Sequence, residues 1–187
     1  MAIDKKAGKL SFILLIIAFI VPVIMAKIAL ENDWFNKAST NRGQLLDPII
    51  EAQDLLQGAE TKWHFLYVIP AMCDAACDNA IYSINQVKTA IGRESDRVNA
   101  VFIATETSDQ SALTKIAEIS ATQVLQQQKE NVNKVFKDES VNAIFIADTL
   151  NNIVLKYPNT PDEEQAIMDS RDMLADIKKL LKLSRIG

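Results

Sequence analysis

The stretch that most constrains this chain is an apolar segment ending in two cysteines. Trp63 to Ile69 is rich in aromatic and β-branched residues, the composition of a buried strand. Pro70 to Met72 interrupt it, and Asp78 to Ile91 then place Ile81, Ile84, Val87 and Ile91 on one helical face. Cys73 and Cys77 therefore fall at a strand-to-helix junction, with Cys73 near the helix N-terminus. Free N–H groups and partial positive charge at a helix end favour a thiolate. Asp74 and Asp78, placed in the first turn, oppose that effect. A spacing of four residues sets the sulfurs about one turn apart. The pair can close a disulfide, structural or active, or hold one soft ion such as Cu(I). Met72 offers either a thioether ligand or half-buried packing. His64, the only histidine, is either a ligand or a strand residue, and alternation turns it away from the faces of Trp63 and Phe65.

A second apolar run, Leu10 to Leu30, is broken only by Ser11, Pro22 and Lys27. As a helix it would reach about 31 Å, enough to cross a bilayer core. Lys27 can snorkel to headgroups. A cleaved signal peptide is the rival, but cleavage after Ala26 or Ala29 would need a small residue at Ile24 or Lys27. The expectation is an uncleaved anchor. Lys5, Lys6 and Lys9 precede it and keep the N-terminus cytoplasmic. The expected divisions are residues 1–9 cytoplasmic, 10–30 transmembrane, 31–60 a juxtamembrane connector and 61–187 the outer domain. Trp34 and Phe35 are candidate interfacial anchors within the connector. Leu45 to Leu56 reads as a short helix or a packed loop, ahead of a break at Gly58.

Beyond the cysteine helix, Gly92 gives a stop and Val98 to Thr105 reads as a second strand. Ser108 to Gln110 offer caps for a helix from Ser111 to Gln128, with Leu113, Ile116, Ile119 and Leu125 apolar. Lys129 to Ser140 is polar and mixed in charge. Val141 to Ala147 and Ile153 to Tyr157 read as a hairpin joined through Asp148 to Asn152. A last helix runs from Asp162 to Leu183, with Ile167, Leu174, Ile177 and Leu181 expected on its inner face. Its leading acids, Glu163 and Glu164, are a solvated helix start. The order β-α-β-α-β-β-α, with a cysteine pair after the first strand, predicts an α/β thioredoxin-like domain behind one N-terminal transmembrane helix.

At these residues the sequence resembles a known family. Lys62-Trp63, the apolar strand, Cys73-x-x-x-Cys77 and the hairpin ending at Tyr157 resemble the Sco-type copper chaperones, membrane-anchored thioredoxin-like proteins of cytochrome c oxidase assembly. Three stretches look closer to proteobacterial proteins from oxidase gene clusters: Cys73 to Cys77, Gln86 through Arg97-Val98, and the tail Lys178 to Gly187. The resemblance implies a bacterial inner-membrane, periplasm-facing assembly factor with an oxidase subunit or another assembly factor as partner. Cys73 and Cys77 would act as catalytic thiols or as copper(I) ligands. Sco proteins add a third ligand, a His just before the third core strand; here Lys137 to Asn142 contains no His. Met72 and His64 are the remaining candidates.

Other classes find little support. Residues beyond 30 hold 16 basic and 23 acidic side chains, which opposes nucleic-acid binding. One His builds no Ser-His-Asp set, and five glycines form no phosphate loop. The working readings are a thiol–disulfide oxidoreductase, a copper-handling chaperone, and a non-catalytic oxidase scaffold with a structural disulfide.

Overall fold

In the computed structural model, which describes residues 5–31, 41–137 and 141–184, the chain divides into two compact units at Thr40/Asn41. Trp34, Phe35, residues 138–140 and the tail from Arg185 lie outside the described residues.

The first unit contains one helix, α1 (Lys5–Glu31). Phe12, Leu14, Leu15, Ile16, Ile17 and Phe19 on it are all exposed, so apolar side chains face every direction rather than one stripe. Among the described residues no helix is long and apolar enough to cross a membrane. Side chains of α1 are described at Phe12 and from Leu14 to Ala29.

The second unit is a six-stranded mixed sheet in which β1 (Gln44–Glu51) lies at one edge, followed by β6 (Asn152–Pro158), β5 (Ala143–Ala147), β2 (Trp63–Val68), β3 (Val98–Ala104) and, at the other edge, β4 (Thr122–Gln126). The strand beginning at Trp63 is central: β2 (Trp63–Val68) is buried at every position, as its composition requires. It pairs in parallel with β3 (Val98–Ala104), which pairs in parallel with β4 (Thr122–Gln126). On its other side β2 runs antiparallel to β5 (Ala143–Ala147), which forms the expected hairpin with β6 (Asn152–Pro158).

Each face of the sheet carries its own core. Trp63, Phe65 and Tyr67 pack with Ile81, Ile84 and Val87 of α2 (Ala75–Ile91) and with Met173, Ile177 and Leu181 of α5 (Glu163–Leu183). Ala112 and Ile116 of α3 (Gln110–Ala117) join the same cluster. Leu66 and Val68 point the opposite way, onto Leu55, Leu56 and the residues Val132 and Phe136 of α4 (Lys129–Phe136). The Phe136 and Phe145 rings meet there at 5.0 Å.

Four expectations are corrected. Residues 45–56, expected as a short helix or loop, contain a strand, β1 (Gln44–Glu51), antiparallel to β6 with an irregular register between Leu45 and Ile50. Pro48 is tolerated because β1 is an edge. These residues lie in the compact unit from Asn41 onward. The helix expected to run to Gln128 stops at Ala117. Thr122 Oγ1 donates to the carbonyls of Ile116 and Ile119, Ala121 takes φ +60°, and the chain turns into β4 with Leu125 on a strand. Lys129 to Phe136, expected only as a polar stretch, is the helix α4. Finally Ile167 is 52% exposed, because the buried stripe of α5 begins only at Met173.

Candidate functional site

The cysteines sit where β2 leads into α2. Asp74 is the N-cap of α2, its Oδ1 accepting the Cys77 N–H at 3.1 Å, so the helix begins three residues before Asp78, where the expected amphipathic run starts. Cys73 lies just before the cap and Cys77 inside the first turn. The two are joined by a disulfide with Cα atoms 5.2 Å apart. Cys77 is fully buried in the core beneath α2, and Cys73 is half-buried. One sulfur thus faces solvent and its partner is shielded.

Neighbouring loops fix this turn. Ile69 N–H donates to the Ile103 carbonyl at 2.9 Å, and Ser108 Oγ donates to the Ile69 carbonyl at 2.8 Å. Asp109 N–H donates to the Pro70 carbonyl, and Asp109 Oδ2 accepts the Cys73 N–H, each at 2.9 Å. The Cys73 N–H, with the Ser111 hydroxyl and the N–H groups of Ser111 and Ala112, holds the Asp109 carboxyl well below the usual carboxylate range. Asp78 Oδ1 lies 3.7 Å from Cys73 Sγ and 2.6 Å from Lys115 Nζ. A carboxylate and an ammonium therefore stand together beside the exposed sulfur.

The other wall of the site is polar. Asn159 Nδ2 donates to Tyr67 Oη at 3.0 Å and to Asn142 Oδ1 at 2.8 Å. Burial pushes the Tyr67 phenol up to about 12, which keeps it protonated. A cleft of about 230 Å³ lies alongside, lined by Ile69, Pro70, Met72, Asp74 and Asn142 among others.

Met72 is 79% exposed beside Cys73, not half-buried packing, and His64 is brought nowhere near either cysteine. His64 pairs with Asn99 and Ala147 near the start of β2, five residues before Ile69 and about 17 Å away along the strand. It is fully buried and neither ring nitrogen has a hydrogen-bond partner. Burial pulls its pKa down to about 4, with Glu60 opposing part of the shift. No group of three or more His, Cys, Asp or Glu suited to a metal ion occurs among the described residues.

Asp109 and Ser108 were visible in the sequence only as cap residues. Lys115, Asn142 and Asn159 carried no signal there, since only the fold brings Lys115 onto Asp78 beside Cys73 and joins Asn159 to Asn142 on the cleft.

Residues 63–184 match the family described as transmembrane-like, thioredoxin-like, C-terminal domain. The chain belongs to that family. No curated protein sequence matches it. Among solved structures it is similar to the apo Sco1 protein of Thermus thermophilus, with a TM-score of 0.50 at 18% identity over 67% of this chain and 83% of that one. It is also similar to ScoI of Bradyrhizobium japonicum, a structure with copper bound, with a TM-score of 0.43 at 19% identity over 62% and 87%. A putative thiol:disulfide interchange protein DsbE of Chlorobium tepidum gives 0.48 at 14% identity over 64% and 83%. The thioredoxin-like α/β fold expected of the family member is the one observed.

Proposed function

We propose that this chain is a membrane-anchored thiol–disulfide exchange factor acting on a cytochrome c oxidase subunit during assembly, on the periplasmic side of a bacterial inner membrane. The observation that carries the exchange reading is the Cys73–Cys77 disulfide, half-exposed at one sulfur and buried at the other, at the head of α2. In the dithiol form, the Cys73 thiolate attacks a disulfide of the partner. A Cys73–partner bond forms, and the displaced partner thiolate takes a proton. Cys77 then attacks Cys73 Sγ, closing the intramolecular disulfide and releasing the second partner thiol. The partner is reduced by two electrons, this chain is oxidised by two, and a dithiol reductant restores it.

Anchoring is supported by the apolar side chains on all sides of α1 and by the resemblance. Lys5, Lys6 and Lys9 favour a cytoplasmic N-terminus. The oxidase as target rests on the resemblance of the cysteine segment, Gln86 to Val98 and the tail. Complementation tests the reading: a strain lacking this chain should recover oxidase activity with the native chain and not with Cys73→Ser/Cys77→Ser. Recovery with the double variant would make the chain a scaffold with a structural disulfide.

A second reading, Cu(I) carried as cargo by the two thiolates, is favoured by the exposed thioether of Met72 beside Cys73. Titration of the reduced full chain in detergent with Cu(I), against a competing chelator, separates it from exchange. Tight one-to-one binding lost in the double variant supports cargo; no competitive binding removes it.

A further inference from the structure

Asp109 does more than cap a helix. Capping of α3 uses Oδ1, which accepts the Ser111 N–H at 2.8 Å, the Ser111 hydroxyl at 2.6 Å and the Ala112 N–H at 3.3 Å. Oδ2 is directed elsewhere, to the Cys73 N–H at 2.9 Å, across 36 positions of sequence. The same residue's N–H holds the Pro70 carbonyl, so one side chain and its own backbone grip both ends of the segment Pro70–Cys73. Between those grips Ala71 and Met72 are exposed and bury nothing that would order the loop. On the far side of Cys73, Asp74 ties the chain to Cys77 through the cap bond. The Asp74 bond reaches Cys77, whereas the Asp109 bond holds the Cys73 main chain itself.

Resting on the exchange reading above, we propose that Asp109 is the positioning residue of the thiol pair. It ties the Cys73 main chain to the head of α3, so that Cys73 Sγ stays within bonding reach of Cys77 Sγ when the disulfide is open. Two thiols held in this way close a disulfide as an effectively unimolecular reaction, and loosening one of them lowers the effective concentration of each for the other. Removing the carboxylate also removes a negative charge near Cys73, which favours the reduced pair and acts in the same direction.

The test is Asp109→Ser in the full chain. Serine retains one oxygen for the α3 cap but is too short to reach Cys73 as well. The redox equilibrium is measured against glutathione buffers, in which the reduced pair plus one glutathione disulfide gives the Cys73–Cys77 disulfide plus two glutathione thiols. The expected result is an equilibrium constant for disulfide formation about tenfold smaller than in the native chain, with the thermal midpoint nearly unchanged. A constant within about twofold of native would overturn the proposal and leave Asp109 a helix cap. Should the variant not fold, hydrogen exchange at the Cys73 amide of the native chain decides. Protection in both the oxidised and the reduced state is expected; loss of protection on reduction overturns it. The two readings fail separately. Complementation by the double cysteine variant would end the exchange reading while a shifted constant in Asp109→Ser stood.

Discussion

The guanidinium of Arg97 closes the C-terminus of α5: Nη1 donates to the Leu181 carbonyl at 3.0 Å and Nη2 to the Ser184 carbonyl at 2.8 Å. Two stretches noted separately in the sequence, Gln86 through Arg97-Val98 and the one beginning at Lys178, are therefore tied together through Arg97 as far as Ser184. The last carbonyls of a helix lack intrahelical partners, and a cation there also meets the negative end of the dipole. Arg97→Ala should cost about 2 kcal/mol and lower the thermal midpoint by about 5 °C. Arg97→Lys, with one donor site in place of the fork, should recover only part of that. Calorimetry of the three chains checks the order.

Asp176 does for β1 what Arg97 does for α5. Its buried carboxylate accepts from Tyr157 Oη at 2.7 Å, Gly43 N–H at 2.8 Å and Arg42 N–H at 2.9 Å. Burial, then the bond to Asp176, holds the Tyr157 phenol protonated as the donor. Asp176→Ala strands three donors and should cost about 3 kcal/mol. Gly43→Ala should also loosen β1, because a methyl there would overlap the Tyr157 ring. Faster hydrogen exchange confined to Gln44–Glu51 and its partner β6 is the expected signature; uniform acceleration across the sheet would contradict it.

His64 predicts a specific acid sensitivity. Its folded pKa of about 4 lies below the ordinary 6.5, so the unfolded chain takes up the proton first. Stability is complete above pH 6.5 and is lost as pH falls toward 4, by about 3 kcal/mol in all. His64→Leu, apolar among the residues of the second core, should flatten that part of the stability–pH curve. Urea midpoints of both chains at pH 7.5, 6 and 4.5 measure the difference. A parallel pair of curves would mean that the imidazole is not what titrates.

Which parts of this architecture were readable follows from where the strong patterns lie. The central strand, the cysteine helix, the hairpin and α5 each bury a full apolar face, and that burial is written in Trp63 to Ile69, Ile81 to Ile91, Ile144 to Tyr157 and Ile177 to Leu181. The two edge strands were not readable. In β1 Pro48 argues against a strand and only pairing with β6 overrides it. In β4 the side chains are half-covered, and the turn before it rests on a positive φ at Ala121, a residue type that signals no turn. The cysteine pair stood out by spacing, whereas Asp109 could be seen only as a cap, since its second bond spans two loops.

The asymmetry of the disulfide gives the last expectation. Cys77 is fully buried against the core and Cys73 is half-exposed, with Lys115 and Asp78 beside its sulfur. Reactivity of a thiol follows its access and its thiolate fraction. In the gently reduced native chain, iodoacetamide should alkylate Cys73 at least tenfold faster than Cys77. Removal of the ammonium in Lys115→Ala should slow Cys73 alone, because the Asp78 carboxylate then acts on the thiolate without its counter-charge. Removal of the carboxylate in Asp78→Asn should speed it. Peptide mass spectrometry over a time course reads both cysteines in one sample. Equal rates at the two positions would place the attacking role on neither and would point to a disulfide that serves only to hold the head of α2.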